Sequence, residues 1–327
     1  MHFKHLISLA FAFATAATVL VPIAASAQQA YPNRPVKIIV PFAASGPADN
    51  YARFMAQRLQ DTFGQPFVVD NRHGAGSIIG SDAAAKSPAD GYTLLMMSNT
   101  QTVNESLIPN KPFNLLKDFS PIAPINYSDL VLVVNPAVNA NSLQDLIKLA
   151  KASPGKLNYA SSGNGTPYHM AGELFKHMAD IQMTHIPYKG SAAARTDVLS
   201  GQVDMMFDAV TTMSENIKAG KVRGLATTGR ARSSVTLDIP TVSEQGVAKY
   251  EAVIWLGLMA PAGTPEAIVN RLNTEVNKII NSADVKAAWA KQGAVPMSMS
   301  VPAFTKYVAE DVAKWATIVK VSGAKAD

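Results

Sequence analysis

The chain has 327 residues, a formal net charge of +5 and no cysteine. Thiolate chemistry and disulfide bridges are therefore excluded, so the protein must rely on its packed core for stability. The sequence contains no basic run and no basic patch interleaved with aromatic residues, which argues against a nucleic-acid partner. The length is enough for one large domain or for two domains of ordinary size.

The N-terminal segment has the three parts of a secretory signal peptide. Lys4 supplies a positive charge, residues 6–23 are almost wholly apolar, and residues 25–27 are Ala-Ser-Ala, a small-x-small cleavage motif. A retained membrane anchor is the alternative, because the apolar run is nearly long enough to cross a bilayer. The cleavage motif favours removal of residues 1–27, so we expect a soluble periplasmic protein that begins at Gln28.

The first strand and helix after this segment are joined by a turn of small residues. Residues 38–40 are β-branched and apolar, which predicts a buried strand. A helix with an apolar stripe is predicted to begin at Pro47, with Gly46 as its N-cap. Asp49 can then reach back to free backbone N–H groups. Such a turn points N–H groups and the positive end of a helix dipole at one spot, which suits a carboxylate or a phosphate.

The rest of the chain alternates between predicted strands and predicted helices. Strands are predicted at residues 66–70, 92–97, 130–134, 156–160, 183–187, 203–208, 222–227 and 252–261. Helices are predicted from residue 78, at 143–151, from 167, at 192–200, at 216–221, from 264 and at 301–320. Residues 98–102 are predicted to be a polar loop, and residues 109–124 an irregular segment punctuated by prolines. The alternation predicts parallel sheets with right-handed crossovers.

These elements predict two α/β domains, the second inserted into the first. Domain 1 would comprise residues 28–128 and 250–327, and domain 2 residues 129–249. Ligands of open α/β sheets bind at the carboxyl ends of the strands, so the site is expected in the cleft between the two domains.

Three other kinds of site are alternatives to a carboxylate cleft. The glycines at 74, 76 and 80 are spaced G-x-G-x-x-x-G, which departs from the dinucleotide fingerprint. The mature chain has no His-x-x-x-His pair, so no metal site is expected. Ser161 or Ser162 could act as a nucleophile with His169 and Asp208, but the G-x-S-x-G elbow is missing. A secreted α/β-hydrolase-like enzyme acting on a carboxylate ester remains the alternative function.

Several motifs, in order along the whole mature chain, resemble those of the Bug family, the extracytoplasmic solute receptors of tripartite tricarboxylate transporters. The motifs are Pro41-Phe42 with Gly46 and Asp49, Gly74-Ala75-Gly76, Pro88-Ala89-Asp90-Gly91-Tyr92, Ser161-Ser162-Gly163-Asn164-Gly165-Thr166-Pro167 with His169, Pro187-Tyr188-Lys189-Gly190, Gly201-Gln202-Val203-Asp204 and Pro261-Ala262-Gly263-Thr264-Pro265. The sequence departs from the family where paired glycines are usual, because Ser45 precedes Gly46 and Ser77 follows Gly76.

The resemblance implies a two-domain periplasmic-binding-protein (Venus flytrap) fold, in which each domain is a mostly parallel α/β sheet flanked by helices. It also implies capture of a small carboxylate between the loops of residues 42–46 and 161–166, by backbone N–H groups, hydroxyls and water with little help from arginine. Lys189 is the only cation expected in the site. The expected ligand-binding residues are Phe42, Ala43, Ser45, Gly46, Thr100, Gln101, Ser161, Ser162, Gly163, Asn164, Thr166, His169, Lys189 and Asp208.

The function expected from these observations is that of a monomeric periplasmic solute-binding protein without catalytic residues, cofactor or metal. Its ligand is expected to be a small organic carboxylate, and an aromatic or aliphatic dicarboxylate such as terephthalate is the suggested case. Its expected partners are membrane transporter subunits. A sensor is the alternative recipient of the bound ligand.

Overall fold

A computed structural model describes residues 31–322 and 324–326 of the chain. The predicted signal peptide, residues 1–27, lies outside the described residues. Within the described part, none of the helices is both long enough and apolar enough to cross a membrane.

Ten strands in the described part form one mixed sheet. They are β1 (Val36–Val40), β2 (Phe67–Asn71), β3 (Thr93–Ser98), β4 (Phe119–Val134), β5 (Asn158–Ser161), β6 (Thr184–Pro187), β7 (Met205–Ala209), β8 (Arg223–Thr227), β9 (Val253–Pro261) and β10 (Ala294–Pro296). The strand order is β2-β1-β3-β9-β4-β7-β5-β6, and β8 and β10 also pair with β4. The pairs β1–β2, β1–β3, β5–β6 and β5–β7 are parallel, as predicted. Strands β4 and β9 pair antiparallel and join the two parallel groups.

Eleven α-helices are present among the described residues. They are α1 (Pro47–Phe63), α2 (Ile78–Ala85), α3 (Asn99–Leu107), α4 (Leu115–Asp118), α5 (Leu143–Ala152), α6 (Pro167–Ala179), α7 (Ser191–Ser200), α8 (Val210–Lys218), α9 (Glu266–Asn281), α10 (Ala283–Ala290) and α11 (Val301–Ser322). Gly46 is the N-cap of α1 and Pro47 its first residue, as predicted. Gly201 ends α7 with a left-handed φ of 79°, which glycine adopts without steric cost.

The prediction of an irregular segment at residues 109–124 is wrong from Phe119 onward, where the long strand β4 begins. Its register against β9 shifts between Pro121 and Ala123 and again between Pro124 and Asn126. Proline has no N–H to donate to a ladder, so prolines inside a sheet occur at such irregularities. The strand tolerates Pro121 and Pro124 because its pairing with β9 becomes irregular directly after each of them.

The prediction of a polar loop at residues 98–102 is also wrong, because α3 begins at Asn99. Ser98 is its N-cap: the Ser98 side chain accepts from Thr100 N, and the Gln101 side chain accepts from Ser98 N. This is the reciprocal capping box of the S-x-x-Q pattern, which the sequence contains. The polar residues of this segment cap the start of a helix instead of forming a loop.

Two buried clusters hold the sheet against its helices. One includes Ile39, Leu95 and Trp255 from β1, β3 and β9. The other includes Tyr159 and Phe207 from β5 and β7. Because these clusters fix the strands of each parallel group, the helices that follow them begin at defined places beyond the strand ends.

Candidate functional site

A small cavity lies where four helices begin, and we call it the helix-end cavity. It is lined by Phe42, Ala43, Gly46, Pro47, Ala48, Ser98, Thr100, Ser162, Pro167, Tyr168, Gly190, Ser191, Ile254 and Leu256. The first residues of α1, α3, α6 and α7 all contribute to this wall. Each of these helices directly follows a strand of a parallel group, so the cavity lies at carboxyl strand ends, where α/β folds bind ligands.

The electrostatics of the helix-end cavity come from backbone and not from charged side chains. The first N–H groups of a helix have no acceptor within the helix, and the helix dipole places partial positive charge there. None of the fourteen lining residues, all within the described part of the chain, is charged. Four such helix starts around an uncharged and mostly apolar wall favour a small anion with an apolar body.

The turn into α1 is fixed by the carboxylate of Asp49. Its Oδ2 accepts from Ser45 N at 3.0 Å, and Arg53 and Asn71 donate to the same carboxylate. Burial opposes the ionisation of Asp49, but the hydrogen bonds from Arg53, Ser45 N and Asn71 outweigh it and lower the pKa of the carboxyl group. Ser45 itself has a left-handed φ of 67° and its side chain is exposed. The turn is therefore held in shape before any ligand binds.

The start of α3 contributes Ser98 and Thr100 to the wall of the helix-end cavity. Their hydroxyls are hydrogen-bonded to each other at 3.0 Å. Gln101 faces away, because its Nε2 donates to the hydroxyls of Ser77 and Ser81 at 3.1 Å. Gln101 thus braces the turn before α2 and does not line the cavity.

The loop of residues 161–166 places Ser162 in the wall, while Ser161 is buried beneath it. The Ser161 Oγ is 2.6 Å from His185 Nε2. Asp208 instead forms a buried ion pair with Arg195, with Oδ2 2.7 Å from Nε. The grouping of Ser161, His169 and Asp208 weighed for a hydrolase is therefore not assembled.

Tyr168, the second residue of α6, lines the helix-end cavity with only 4% of its surface exposed. Its hydroxyl is buried beside the Ser191 side chain, but it makes no hydrogen bond of standard geometry with the described residues. Burial, followed by the nearby negative charge of Asp208, raises the pKa of Tyr168 well above its usual range. The hydroxyl therefore stays protonated and is a donor available to a ligand.

A second cavity adjoins the first, and we call it the glycine-loop cavity. It is lined by Pro41, Phe42, His73, Gly74, Ala75, Gly76, Ser77, Ser162, Gly163, Thr166, Tyr188 and Lys189. Phe42 and Ser162 line both cavities. Four consecutive residues, 74–77, have positive φ, and two of them, Ala75 and Ser77, are not glycine. Such strained backbone clusters at functional sites, and successive N–H groups in turns of this kind form concave anion sites.

The fourteen residues expected from the sequence divide into three groups. The helix-end cavity is lined by Phe42, Ala43, Gly46, Thr100 and Ser162. The glycine-loop cavity is lined by Phe42, Ser162, Gly163, Thr166 and Lys189. Neither cavity is lined by Ser45, Gln101, Ser161, Asn164, His169 or Asp208.

Sequence reasoning missed several lining residues, among them Tyr168, Ser191 and Ser98. The capping-box pattern could have revealed Ser98, and the proline that starts α6 could have pointed to the residue after it. Ile254 and Leu256 were predicted only as part of an apolar strand, and their alternation along β9 places both in the wall. Across the described residues, no group of three or more His, Asp or Glu side chains is arranged to hold a metal ion.

Comparisons with known proteins agree with this geometry. Residues 51–324 match the family described as Tripartite tricarboxylate transporter family receptor. Protein BugT of Bordetella pertussis is 38% identical over 99% of this chain and 99% of that protein. The structure of R. palustris Rpa4515 with adipate has a TM-score of 0.87 at 34% identity, covering 90% of this chain and 99% of that one.

The structure of MatC (Rpa3494) from Rhodopseudomonas palustris with bound malate has a TM-score of 0.83 at 28% identity, covering 88% of this chain and 100% of that one. These likenesses confirm the predicted class of fold, the two-domain periplasmic-binding-protein fold. The family is one of solute receptors and not of enzymes. The chain belongs to the tripartite tricarboxylate transporter receptor family, whose Bug members its motifs resemble.

Proposed function

We propose that this receptor captures a small dicarboxylate with an apolar body in the periplasm and delivers it to a membrane transporter of the tripartite tricarboxylate type. The observation that carries the proposal is the pair of adjoining cavities that share Phe42 and Ser162. Each cavity offers donors to an anion, so one ligand can place a carboxylate in each.

The first carboxylate would lie in the helix-end cavity. There the N–H groups at the starts of α1, α6 and α7, which have no side-chain cap, can donate to its oxygens together with the hydroxyls of Ser162, Ser191 and Tyr168. Hydrogen bonds to a charged group contribute about 1.5–3 kcal/mol each, so several of them can hold a carboxylate without a buried positive side chain. The apolar walls from Phe42 and Leu256 would cover the carbon chain next to it.

The second carboxylate would lie in the glycine-loop cavity, near Lys189 and the left-handed turn of residues 74–77. Lys189 is exposed, so its ammonium can move toward a ligand. The structures of relatives support a dicarboxylate, since one was solved with adipate and another with malate. We propose a linear ligand of about adipate length, with terephthalate as the aromatic counterpart.

Calorimetry with matched acids tests the two-carboxylate hypothesis. Adipate should bind more tightly than hexanoate, which has the same chain length and one carboxylate, by about 10- to 100-fold. Terephthalate should likewise bind more tightly than benzoate. The Lys189→Gln variant should shrink the adipate advantage, whereas Lys221→Gln, at an exposed lysine that lines neither cavity, should preserve it. Equal affinities for adipate and hexanoate would contradict the proposal.

Export to the periplasm has its own test. Protein recovered from the periplasmic fraction should have the intact mass of a chain that begins at Gln28. A mass that still includes residues 1–27 would refute the proposed processing.

A further inference from the structure

Two histidine rings lie stacked beneath the loop of residues 161–166. The centroids of His169 on α6 and His185 on β6 are 4.0 Å apart, with 14° between their planes. His185 stacks in turn on Tyr159 of β5 at 4.9 Å. The stack is therefore built from three elements of the fold, and its upper edge meets the backbone of the ligand loop.

Both histidines are hydrogen-bonded to that loop. His169 Nδ1 accepts from the backbone N–H of Gly165 at 3.0 Å. His185 Nε2 is 2.6 Å from the hydroxyl of Ser161, which also accepts from the N–H of Gly163 at 3.1 Å. Two N–H groups of the loop are thus held by the histidine stack, one directly and one through a serine.

The surroundings of His169 keep its ring neutral. Burial, followed by the positive charge of Lys176, lowers the pKa of His169 to about 4. A ring nitrogen that accepts carries no proton, so the proton of the neutral ring is on Nε2, which faces Glu173 Oε1 at 3.7 Å. Glu173 is itself held by the Tyr159 hydroxyl at 2.5 Å and by Lys176 Nζ at 2.7 Å.

We infer that His169 and His185 are positioning residues for ligand binding, which set the shape of the loop of residues 161–166 by accepting or sharing its hydrogen bonds. The inference rests on the proposed function, because the loop carries Ser162 and Gly163 into the two cavities. Neither histidine lines either cavity.

The histidines set the shape of the loop because a buried hydrogen-bond donor without an acceptor costs free energy. If His169 Nδ1 were lost, the Gly165 N–H would be buried and unpaired, so the loop would move to find another partner. Gly165 has little room to adjust, since a Cβ placed on it would lie 2.7 Å from Asn104 Oδ1. The movement would therefore fall on the neighbouring residues of the loop, which line the cavities.

Paired variants separate hydrogen bonding from packing at His169. Asn places its Oδ1 where Nδ1 lies and keeps an acceptor for Gly165 N–H, whereas Leu fills a similar space without one. His169→Leu should weaken adipate binding at least about tenfold, and His169→Asn should stay within about threefold of wild type. Equal affinities of the two variants, whether normal or lost, would overturn the inference, because packing alone would then explain His169.

The same comparison applies at His185. The side-chain amide of Gln at this position can reach the place of Nε2, whereas the side chain of Leu has no hydrogen-bonding group. His185→Leu should weaken binding and His185→Gln should restore most of it. In His185→Gln, where His169 is the remaining histidine of the stack, affinity should be flat from pH 8 to about pH 6, because the pKa of His169 is about 4 and the ligand's carboxylates stay ionised in that range. The other groups that face the His169 ring are Glu173, Lys176 and Tyr159. Weakening of His185→Gln binding between pH 8 and 6 would contradict a neutral acceptor at His169.

Amide hydrogen exchange supplies a readout that needs no ligand. The Gly165 N–H should exchange faster in His169→Leu than in wild type, and His169→Asn should retain the protection. If no dicarboxylate binds the wild-type protein, the proposed function fails, but this exchange pattern would still support the positioning role. Unchanged protection in His169→Leu would overturn that role whatever the ligand is.

Discussion

The hydroxyl of Tyr168 is buried in the wall of the helix-end cavity, where the Ser191 hydroxyl is its neighbour but no described residue bonds it in standard geometry. A buried hydroxyl without a well-aligned partner costs free energy in the ligand-free protein. A carboxylate in the cavity would supply the missing acceptor. The same group is therefore unfavourable to the empty protein and favourable to the complex.

Tyr168→Phe should separate these two effects. The free energy of unfolding of the ligand-free protein should not fall, whereas the affinity for the dicarboxylate should drop by about 3- to 100-fold. Chemical denaturation and calorimetry on the same variant measure both quantities. Tyr250→Phe is the matched control: its buried hydroxyl donates to Ala171 O at 2.8 Å, so its loss should cost stability and leave binding unchanged. A loss of stability in Tyr168→Phe without a loss of affinity would refute this role.

The sequence predicted the turn at Gly46 and Pro47 in detail because its signals are local. A small N-cap, a proline and an acid three residues later act within one turn of helix. Ser191 carries no such signal, and the proline before Tyr168 marks the start of α6 without showing what the tyrosine faces. Their place in one cavity depends on strand order, and no pattern within either segment encodes it.

Among the elements, α3 shows how a helix start can serve both stability and the site. Its capping box joins Ser98 and Gln101, and Gln101 also holds Ser77 and Ser81 at the turn into α2. The cap of α3 therefore connects the helix-end cavity to the turn that lines the glycine-loop cavity.

Ser98→Ala should lower both stability and affinity. Loss of an N-cap costs about 0.5–2 kcal/mol of unfolding free energy, and Ser98 also lines the cavity. Ser142→Ala is the comparison, because Ser142 caps α5 by accepting from Asp145 N at 3.1 Å and lines neither cavity. It should cost similar stability and no affinity. If both variants bind equally well once folded, α3 contributes only to the fold.

Element prediction failed at residues 98–102, where a local signal was outweighed by another, and at β4, where tertiary context decided the outcome. The S-x-x-Q box at residues 98–101 was present in the sequence, but the polar run after it favoured a loop. The prolines of β4 argued against a strand, and only the partner strands on each side make their irregular pairing tolerable. Predicted strands and helices with a clear apolar pattern, such as β9 and α5, appear close to their predicted bounds.

For the whole molecule, β4 links the two parallel groups of strands. It pairs with β9 over residues 119–129 and with β7 over residues 130–134. The domain boundaries at residues 128 and 249 remain a prediction, and the change of partner along β4 at residue 130 is consistent with the first of them. Receptors of this architecture close on ligands by bending at such crossings, so the helix-end cavity should open and close with the motion.

A disulfide across the cleft can test whether that motion is needed. A Cβ placed on Gly190 would lie 3.0 Å from the Ala43 Cβ, close to the 3.5–4.5 Å that a disulfide requires, and the predicted domains place these residues on opposite sides. The chain has no other cysteine, so Ala43→Cys/Gly190→Cys would contain a single possible bridge. The reduced protein should bind the dicarboxylate, and the oxidised protein should neither take it up nor release ligand trapped before oxidation. The reduced form of the same protein is the control, and stopped-flow fluorescence measures uptake. Equal uptake rates before and after oxidation would mean that the ligand enters without movement between the two domains.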